Sequence, residues 1–370
     1  MSEAAPAPPR TSREERVLQI IETARAKRAR FRDERITLAH GAGGKATQTL
    51  IEGLLVPAFA KTGDGVLAQL ADAGSIQAGG TSIAMTSDSF VVKPLRFPGG
   101  SIGELAVNGT VNDLAMAGAR PQALTVSMIL EEGLESEILK REVEAIASAA
   151  TAAGVEIVGG DTKVVERGAA DQMYLCTTGI GVIDFRARLS TDGIKPGDRV
   201  LVSGPIGEHG TAIMLARNQF DLDAEIDSDT QSLWPAVDAL LDATGEQLHC
   251  LRDATRGGVA SVLNELARAS GVAVVVREAD VPVLPIVAAA AELLGIDPMY
   301  VANEGRLVAF VAPQAADAAL AALRQVSGCE AAAAIGEVRR EPPGMVLVAT
   351  AFGGRRVMDQ LVGDPLPRIC

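Results

Sequence analysis

Apolar positions along the chain recur in two rhythms whose alternation predicts α/β units. In the N-terminal half, "TSIAMTSDSFVV" (81–92), "ALTVSMIL" (123–130), "VEIVGG" (155–160) and "YLCTTGIGVI" (174–183) read as strands, as does the short "ITLAH" (36–40). Helical spacing marks "TQTLIEGLLVPAF" (47–59), the small-residue segment 103–119 and "SEILKREVEAIASAATAAG" (136–154), which stops at Gly154. The polar, turn-rich joint "RARLSTDGIKPGDR" (186–199) marks a domain boundary. Beyond it, strands are predicted at 200–204, 272–276, 306–311, 333–338 and 345–349, with helices at 210–217, 233–243, 258–271, 286–295 and 315–326. Residues 355–370 carry no sustained period and two prolines, which predicts a mobile tail. The expected layout is an extension over 1–35, domains over 36–190 and 191–352, and a tail over 353–370.

Composition narrows the functional classes. A chain of 370 residues is long enough for two domains, each with its own core. Its 3% aromatic content and net charge of -13 argue against nucleic-acid binding, so any phosphate it holds must sit in a local site. The cysteines Cys176, Cys250, Cys329 and Cys370 are widely spaced, without a Cys-x-x-Cys pair, which fits a reducing cytoplasm better than a zinc knot or disulfide framework. The first three lie in apolar or helical contexts and read as buried and inert. No stretch reads as a membrane span, and the N-terminus lacks the apolar core of a signal peptide. That N-terminus reads as a disordered extension followed by a short amphipathic helix, its basic cluster Arg25 to Arg32 being a solvated face.

Candidate chemistry lies at sharp turns. "HGAGGK", His40 to Lys45, offers Gly43 and Gly44 amides and a lysine before a helix, a plausible anion cradle. It is not a Walker A loop, because Ala39 and Ala46 replace the first glycine and the hydroxyl. Asp72, Asp88, Asp113 and Asp253 arrive from separate elements, as the acids of a Mg²⁺–phosphate site do. Each is singly explained as a cap or turn former, Asp253 especially as an ordinary capped helix start. "GGDTKVV" places Asp161, Thr162 and Lys163 just after a buried-looking strand, where backbone and ammonium can approach phosphate. Glu304, in a glycine-adjacent turn after apolar residues, is a candidate base. His40, alone before a turn, reads as structural.

Together "LAHGAGGK", "TSDSFVVKPLRFPGGSIGELAVNGTVNDLAMAGARP", "IVGGDTKVV", "GDRVLVSGPIGEHG", "LRDATRGGVASVLNELA", "ANEGRL" and "PRIC" resemble the HypE family of hydrogenase maturation factors. That family lies in the superfamily of aminoimidazole ribonucleotide synthetase and selenophosphate synthetase, and the resemblance runs from about Ile36 to Cys370. It implies a two-domain α/β (α+β) fold, a homodimer paired through N-terminal sheets, and a carbamoyl group received on Cys370 from the carbamoyltransferase HypF. ATP then drives dehydration of that S-carboxamide to an S-cyanide, which passes to the iron held by HypC and HypD. By motif position, Asp72, Asp88, Asp113 and Asp253 form the Mg²⁺ and phosphate set, and Asn112, Asp161 and Thr162 contact nucleotide. Lys45 and Lys163 neutralise phosphate, and Glu304, helped by Lys163, takes the amide proton. Gly353, Gly354, Gly363, Pro365 and Pro367 allow the tail to swing, with Pro365, Pro367 and Arg368 aiming the thiol. The rival readings are another ATP-dependent superfamily member, a cyclase or selenophosphate synthetase, and a non-enzymatic scaffold that uses Cys370 for docking.

Overall fold

The computed structural model describes residues 31–41, 43–59, 71–217, 225–350, 353–361 and 368–370. The first thirty residues, and Gly363, Pro365 and Pro367, lie outside them.

The N-terminal half builds a five-stranded sheet ordered β1–β2–β7–β5–β6 from β1 (Gly74–Ala78), β2 (Thr81–Phe90), β5 (Ala119–Glu131), β6 (Glu156–Val165) and β7 (Met173–Ile183). A two-stranded ribbon, β3 (Arg96–Phe97) and β4 (Gly100–Ser101), leads into the following helix. One face of the sheet is covered by that helix, α3 (Ile102–Met116), with α4 (Ser136–Ala153) packed against it. The small residues of α3 leave it buried almost all round, as expected of a helix without a polar face. A Cβ on Gly103 would stand 2.6 Å from the Glu142 carbonyl, so glycine there sets how closely the two helices approach. Gly154 ends α4 in the left-handed conformation with φ 68°, the stop its sequence predicts.

The C-terminal half forms a seven-stranded sheet, β14–β13–β10–β12–β8–β11–β9. Its strands are β8 (Arg199–Val202), β9 (Leu248–Asp253), β10 (Ala273–Arg277), β11 (Leu307–Val311), β12 (Ala333–Arg339), β13 (Met345–Ala349) and β14 (Arg355–Met358). Helices α5 (Glu208–Ala216), α6 (Trp234–Thr244), α7 (Gly258–Ser270), α8 (Pro285–Leu294) and α9 (Ala316–Leu323) accompany it. Separate apolar clusters on its two sides, one around Val274 and Phe310 and one around Leu240 and Leu307, hold it in the interior.

Several local expectations are corrected. Residues 36–40 are no strand: Leu38–Gly41 is a 3-10 turn, locked because His40 Nδ1 accepts from the Thr37 amide at 3.0 Å. The helix expected over 47–59 starts earlier, as α1 (Lys45–Leu50), and reaches α2 (Val56–Phe59) through a wider π turn at Ile51–Leu55. The strand around "VEIVGG" runs on to Val165, so Asp161, Thr162 and Lys163 lie inside β6 and not in a turn after it, and β6 is an exposed edge rather than a buried strand. Residues 355–358, read as part of the tail, pair antiparallel with β13.

Candidate active site

Four carboxylates converge where the two halves meet. Asp72 stands just before β1, Asp88 near the end of β2, Asp113 on α3, and Asp253 at the end of β9. Asp253 is therefore not the cap of a helix start, since Gly257 occupies the N-cap of α7. Carboxylate oxygens of Asp72, Asp113 and Asp253 lie within 4.8 Å of one another. Asp72 Oδ1 accepts from Arg252 Nη1 at 2.6 Å, and Asp113 Oδ2 from Thr86 Oγ1 at 2.7 Å. Burial, then the charges of Asp88, Asp253 and Asp72, pushes Asp113 well above the carboxylate range, and burial with its acidic neighbours does the same to Asp253. Asp88 is also raised by burial, offset by a hydrogen bond with Asp113. Such crowded acids hold protons that a divalent cation would displace, and an all-oxygen set suits Mg²⁺ completed by waters and phosphates. The residues present therefore fit that ion.

These pKa values predict how stability changes with pH. Asp113 and Asp253 keep protons in the folded chain at pH values where the unfolded chain has lost them. The folded state then binds more protons, so metal-free stability falls as pH rises from about 4 through the folded pKa values. Asp113→Asn is expected to flatten that fall in thermal melts. It should also weaken Mg²⁺-dependent nucleotide binding by at least roughly tenfold, the lower end for residues that support metal sites. Unchanged affinity would return Asp113 to a structural role.

The cluster opens into a cavity of about 690 Å³, large enough for a small-molecule substrate, bounded by Gly43, Gly44, Asp72, Asp88, Thr255 and Arg256. Gly43 has φ 78°, and a Cβ on it would meet Arg256 Cβ at 2.8 Å, so glycine lets this loop close on the turn after β9. Lys45 does not line the cavity. Its ammonium pairs with Asp359 at 2.8 Å and its amide donates to the Leu361 carbonyl. Gln360 accepts from Arg268 and donates to Glu265, whose carboxyl burial raises to about 7. The root of the tail thus passes along the cavity wall.

Glu304 is 3% exposed, and its Oε1 has no hydrogen-bond partner among the described residues. Burial, then the charges of Asp253 and Asp229, raises it well above the carboxylate range. Its amide donates to Asp229 Oδ1 at 3.1 Å, and Arg306 lies 3.6 Å from Asp229 and 2.5 Å from Glu208. Asn112 does not line the cavity. Its Nδ2 donates to the carbonyls of Gln231 and Glu304, and its Oδ1 accepts from the Leu233 amide, so it clamps α3 to the Glu304 segment.

Asp161 and Lys163 form an ion pair on the sheet face opposite α3, and Thr162 stands between them in β6. Strand register runs from Asp88 through Thr177 and Val126 to Gly160. Three strand spacings, about 14 Å, therefore separate this trio from Asp88 within one chain. His40 is structural as read, its Nε2 donating to Asp33 at 2.9 Å. Cys250 and Cys329 are buried, and burial pushes the Cys250 thiol up to about 12. Cys176 departs from the buried reading: it is half-buried on the open sheet face, 2.9 Å from Ser89 Oγ. Sequence reasoning also passed over Arg252, Arg256 and Asp229, although "LRDATRGG" set both arginines beside Asp253.

Family comparison agrees with the two-domain fold. The AIR synthase related protein family matches with its N-terminal domain at residues 70–183 and its C-terminal domain at 195–348. Thiamine monophosphate kinase from Aquifex aeolicus shares the fold, with a TM-score of 0.61 at 18% identity over 84% of this chain and 97% of its own. Much nearer relatives are two carbamoyl dehydratases HypE. The Rhodobacter capsulatus protein is 47% identical over 92% of this chain and 99% of its own, and the Cupriavidus necator protein 50% identical over 91% and 95%. A solved HypE in complex with ATP superposes with a TM-score of 0.75 at 44% identity, covering 91% of this chain and 100% of that one. The HypE chain of a HypE–HypF complex superposes with 0.79 at 44% identity, covering 84% and 99%. The chain belongs to the HypE family of carbamoyl dehydratases, a branch of the AIR synthase related proteins.

Proposed function

We propose that this protein uses ATP to dehydrate a carboxamide carried on its own Cys370 to an S-cyanide, for the iron of a [NiFe]-hydrogenase. The observation that carries this reading is the buried Glu304, whose Oε1 has no hydrogen-bond partner among the described residues and which, though not itself on the cavity wall, feels the charge of Asp253, which is. The amide oxygen is a poor leaving group, so the γ-phosphoryl of ATP goes onto it. Phosphate then departs with that oxygen while the nitrogen loses both protons, leaving a carbon–nitrogen triple bond. Phosphoryl transfer asks the protein mainly for positioning and charge neutralisation. Asp72, Asp88, Asp113 and Asp253 would hold Mg²⁺, which supplies neutralisation of the transferring phosphoryl group. Glu304 takes an amide proton, and Asn112 holds its backbone in place. Gly43 and Gly44 contact the nucleotide within one chain, Asp161 and Thr162 contact that of a second copy paired through the open sheet face, and Lys45 reaches phosphate by releasing Asp359.

The open sheet face supports a homodimer. Ile76, Met85, Ile129, Ile180 and Val182 are exposed on the sheet face opposite α3. Because Lys163 lies on that face and far from Asp88 in its own chain, its role at phosphate rests on a second copy pairing there. Ile180→Lys is expected to weaken self-association at least about 100-fold, since a buried unpaired charge costs roughly 3–5 kcal/mol. Sedimentation would measure this, and an unchanged dimer would move the interface elsewhere. The solved HypE–HypF complex supports HypF as a partner, in the role of carbamoyl donor. The proposed recipient of the cyanide is HypC–HypD. No disulfide joins the four cysteines, which supports a cytoplasmic site of action. No helix among the described residues is long and apolar enough to cross a membrane. The Asp113→Asn titration tests the nucleotide site, and the fate of the carbamoyl group tests the reaction.

A further inference from the structure

Residues Arg368 to Cys370 are seated in the body of the protein through their backbone. The Ile369 side chain is 1% exposed and belongs to the apolar cluster of Phe90, Phe97, Ile213 and Val301. Each of the three main-chain oxygens has its own donor. The Arg217 guanidinium donates to Arg368, His209 Nε2 donates to Ile369 at 2.7 Å, and the Val91 amide donates to Cys370 at 3.1 Å. The Arg368 side chain pairs with Asp171, donates to the Val91 carbonyl and lies over the Tyr174 ring at 5.9 Å. These contacts hold Arg368 at φ 58°, a left-handed conformation that residues other than glycine seldom adopt.

His209 is built for one hydrogen-bonding pattern. A carbonyl can only accept, so Nε2 carries the proton, and Nδ1, 2.8 Å from Ser228 Oγ, accepts from that hydroxyl. Burial lowers the imidazole pKa to about 4, which keeps the ring neutral at pH 7. The Phe97 ring meets it edge to face at 5.5 Å. Ser228 adjoins Asp229, whose carboxylate accepts from the Glu304 amide. The element that grips Ile369 is therefore linked through two successive residues to the segment that carries the base.

We propose that His209 and Arg217 form a receptor for the chain's own Arg368–Ile369–Cys370 segment, reading its main chain and the Ile369 side chain so that Cys370 is positioned for the dehydration step. The proposal rests on Cys370 as the carrier. None of the three backbone bonds uses the Cys370 side chain. One receptor therefore accepts the segment with a free, carbamoylated or cyanated thiol, and the change of group on sulfur does not by itself dictate docking. His209 and Arg217 act as positioning residues; neither is assigned contact with the reacting atoms.

The test is the rate at which iodoacetamide alkylates Cys370 in the full-length chain without nucleotide, read by peptide mass mapping. His209→Ala is expected to raise that rate roughly two- to twelvefold, the range a net hydrogen bond contributes to the docked state. His209→Gln, whose side-chain amide can donate to the Ile369 carbonyl, should hold the rate near the wild-type value. Ile369→Ser alters the docked segment and leaves the receptor intact, so it gives an answer even if His209→Ala fails to fold; it should raise the rate as well. Unchanged alkylation in Ile369→Ser, or in a folded His209→Ala, overturns the receptor. Failure of His209→Gln to restore protection overturns the assigned hydrogen bond. In a carbamoylation assay, His209→Ala should slow appearance of the cyano adduct while the carbamoyl adduct forms at least as fast as in wild type. Equal slowing of both steps would mark a merely structural histidine. Alkylation needs neither ATP nor HypF, so a protected Cys370 that never becomes cyanated would refute the proposed reaction and leave the receptor standing.

Discussion

Glu304→Gln is expected to bind ATP, accept the carbamoyl group and then stall, with cyano adduct forming roughly 10²–10⁴-fold more slowly, the usual contribution of a positioned general base. Buried beside Asp253 and Asp229, the Glu304 carboxyl is pushed toward its protonated form, and glutamine mimics that form in shape. The substitution should therefore not unfold the chain. Relief from a buried acid should even raise metal-free stability at neutral pH, because a folded pKa above the unfolded value costs stability as pH rises. A slow variant whose melting temperature is not lowered assigns the loss to proton transfer. Normal cyanation by Glu304→Gln would remove this residue from the mechanism.

Cys370→Ala has the larger expected effect, complete loss of both adducts, since no sulfur remains to carry the group. Alanine keeps the main-chain oxygen that accepts from Val91, so docking of the last residues should survive the change. The variant thereby separates chemistry on the thiol from binding of the segment. It also discriminates against a cyclase or selenophosphate synthetase reading, in which a free small molecule reacts and Cys370 is dispensable.

Which parts of this arrangement were legible in the sequence follows from where their signals reside. The helical and strand periods located the main elements of both sheets, and the glycine-rich turns with Asp72, Asp88 and Asp113 marked the site. Asp253 joined them only through the chemistry of dispersed acids and the family resemblance, because it lies on β9, and "LHCLRD" does not look like a buried strand. Its Arg252 is tolerated there by the 2.6 Å pair with Asp72, a partner 180 residues away. Lys45 read correctly as sitting beside glycines before a helix, yet its ammonium is engaged by Asp359 on a segment whose weak periodicity hid β14. Asp161 and Lys163 looked as if they followed a buried strand because the start of β6 is apolar. An edge strand on an open sheet face has the same composition, and only the register of its neighbours separates the two. The grip of Arg217 and His209 on the Arg368 and Ile369 carbonyls left no sequence signal, because every residue carries such a group.

On the proposed mechanism the substrate group is made on Cys370. That step is tested most directly by the intact mass of the purified chain after incubation with HypF, carbamoyl phosphate and ATP, followed by peptide mapping. The account predicts a carbamoyl adduct that gives way to a cyano adduct, both on Cys370 and both absent from Cys370→Ala. An unmodified chain under conditions that modify a HypE relative, or an adduct that persists in Cys370→Ala, would contradict it.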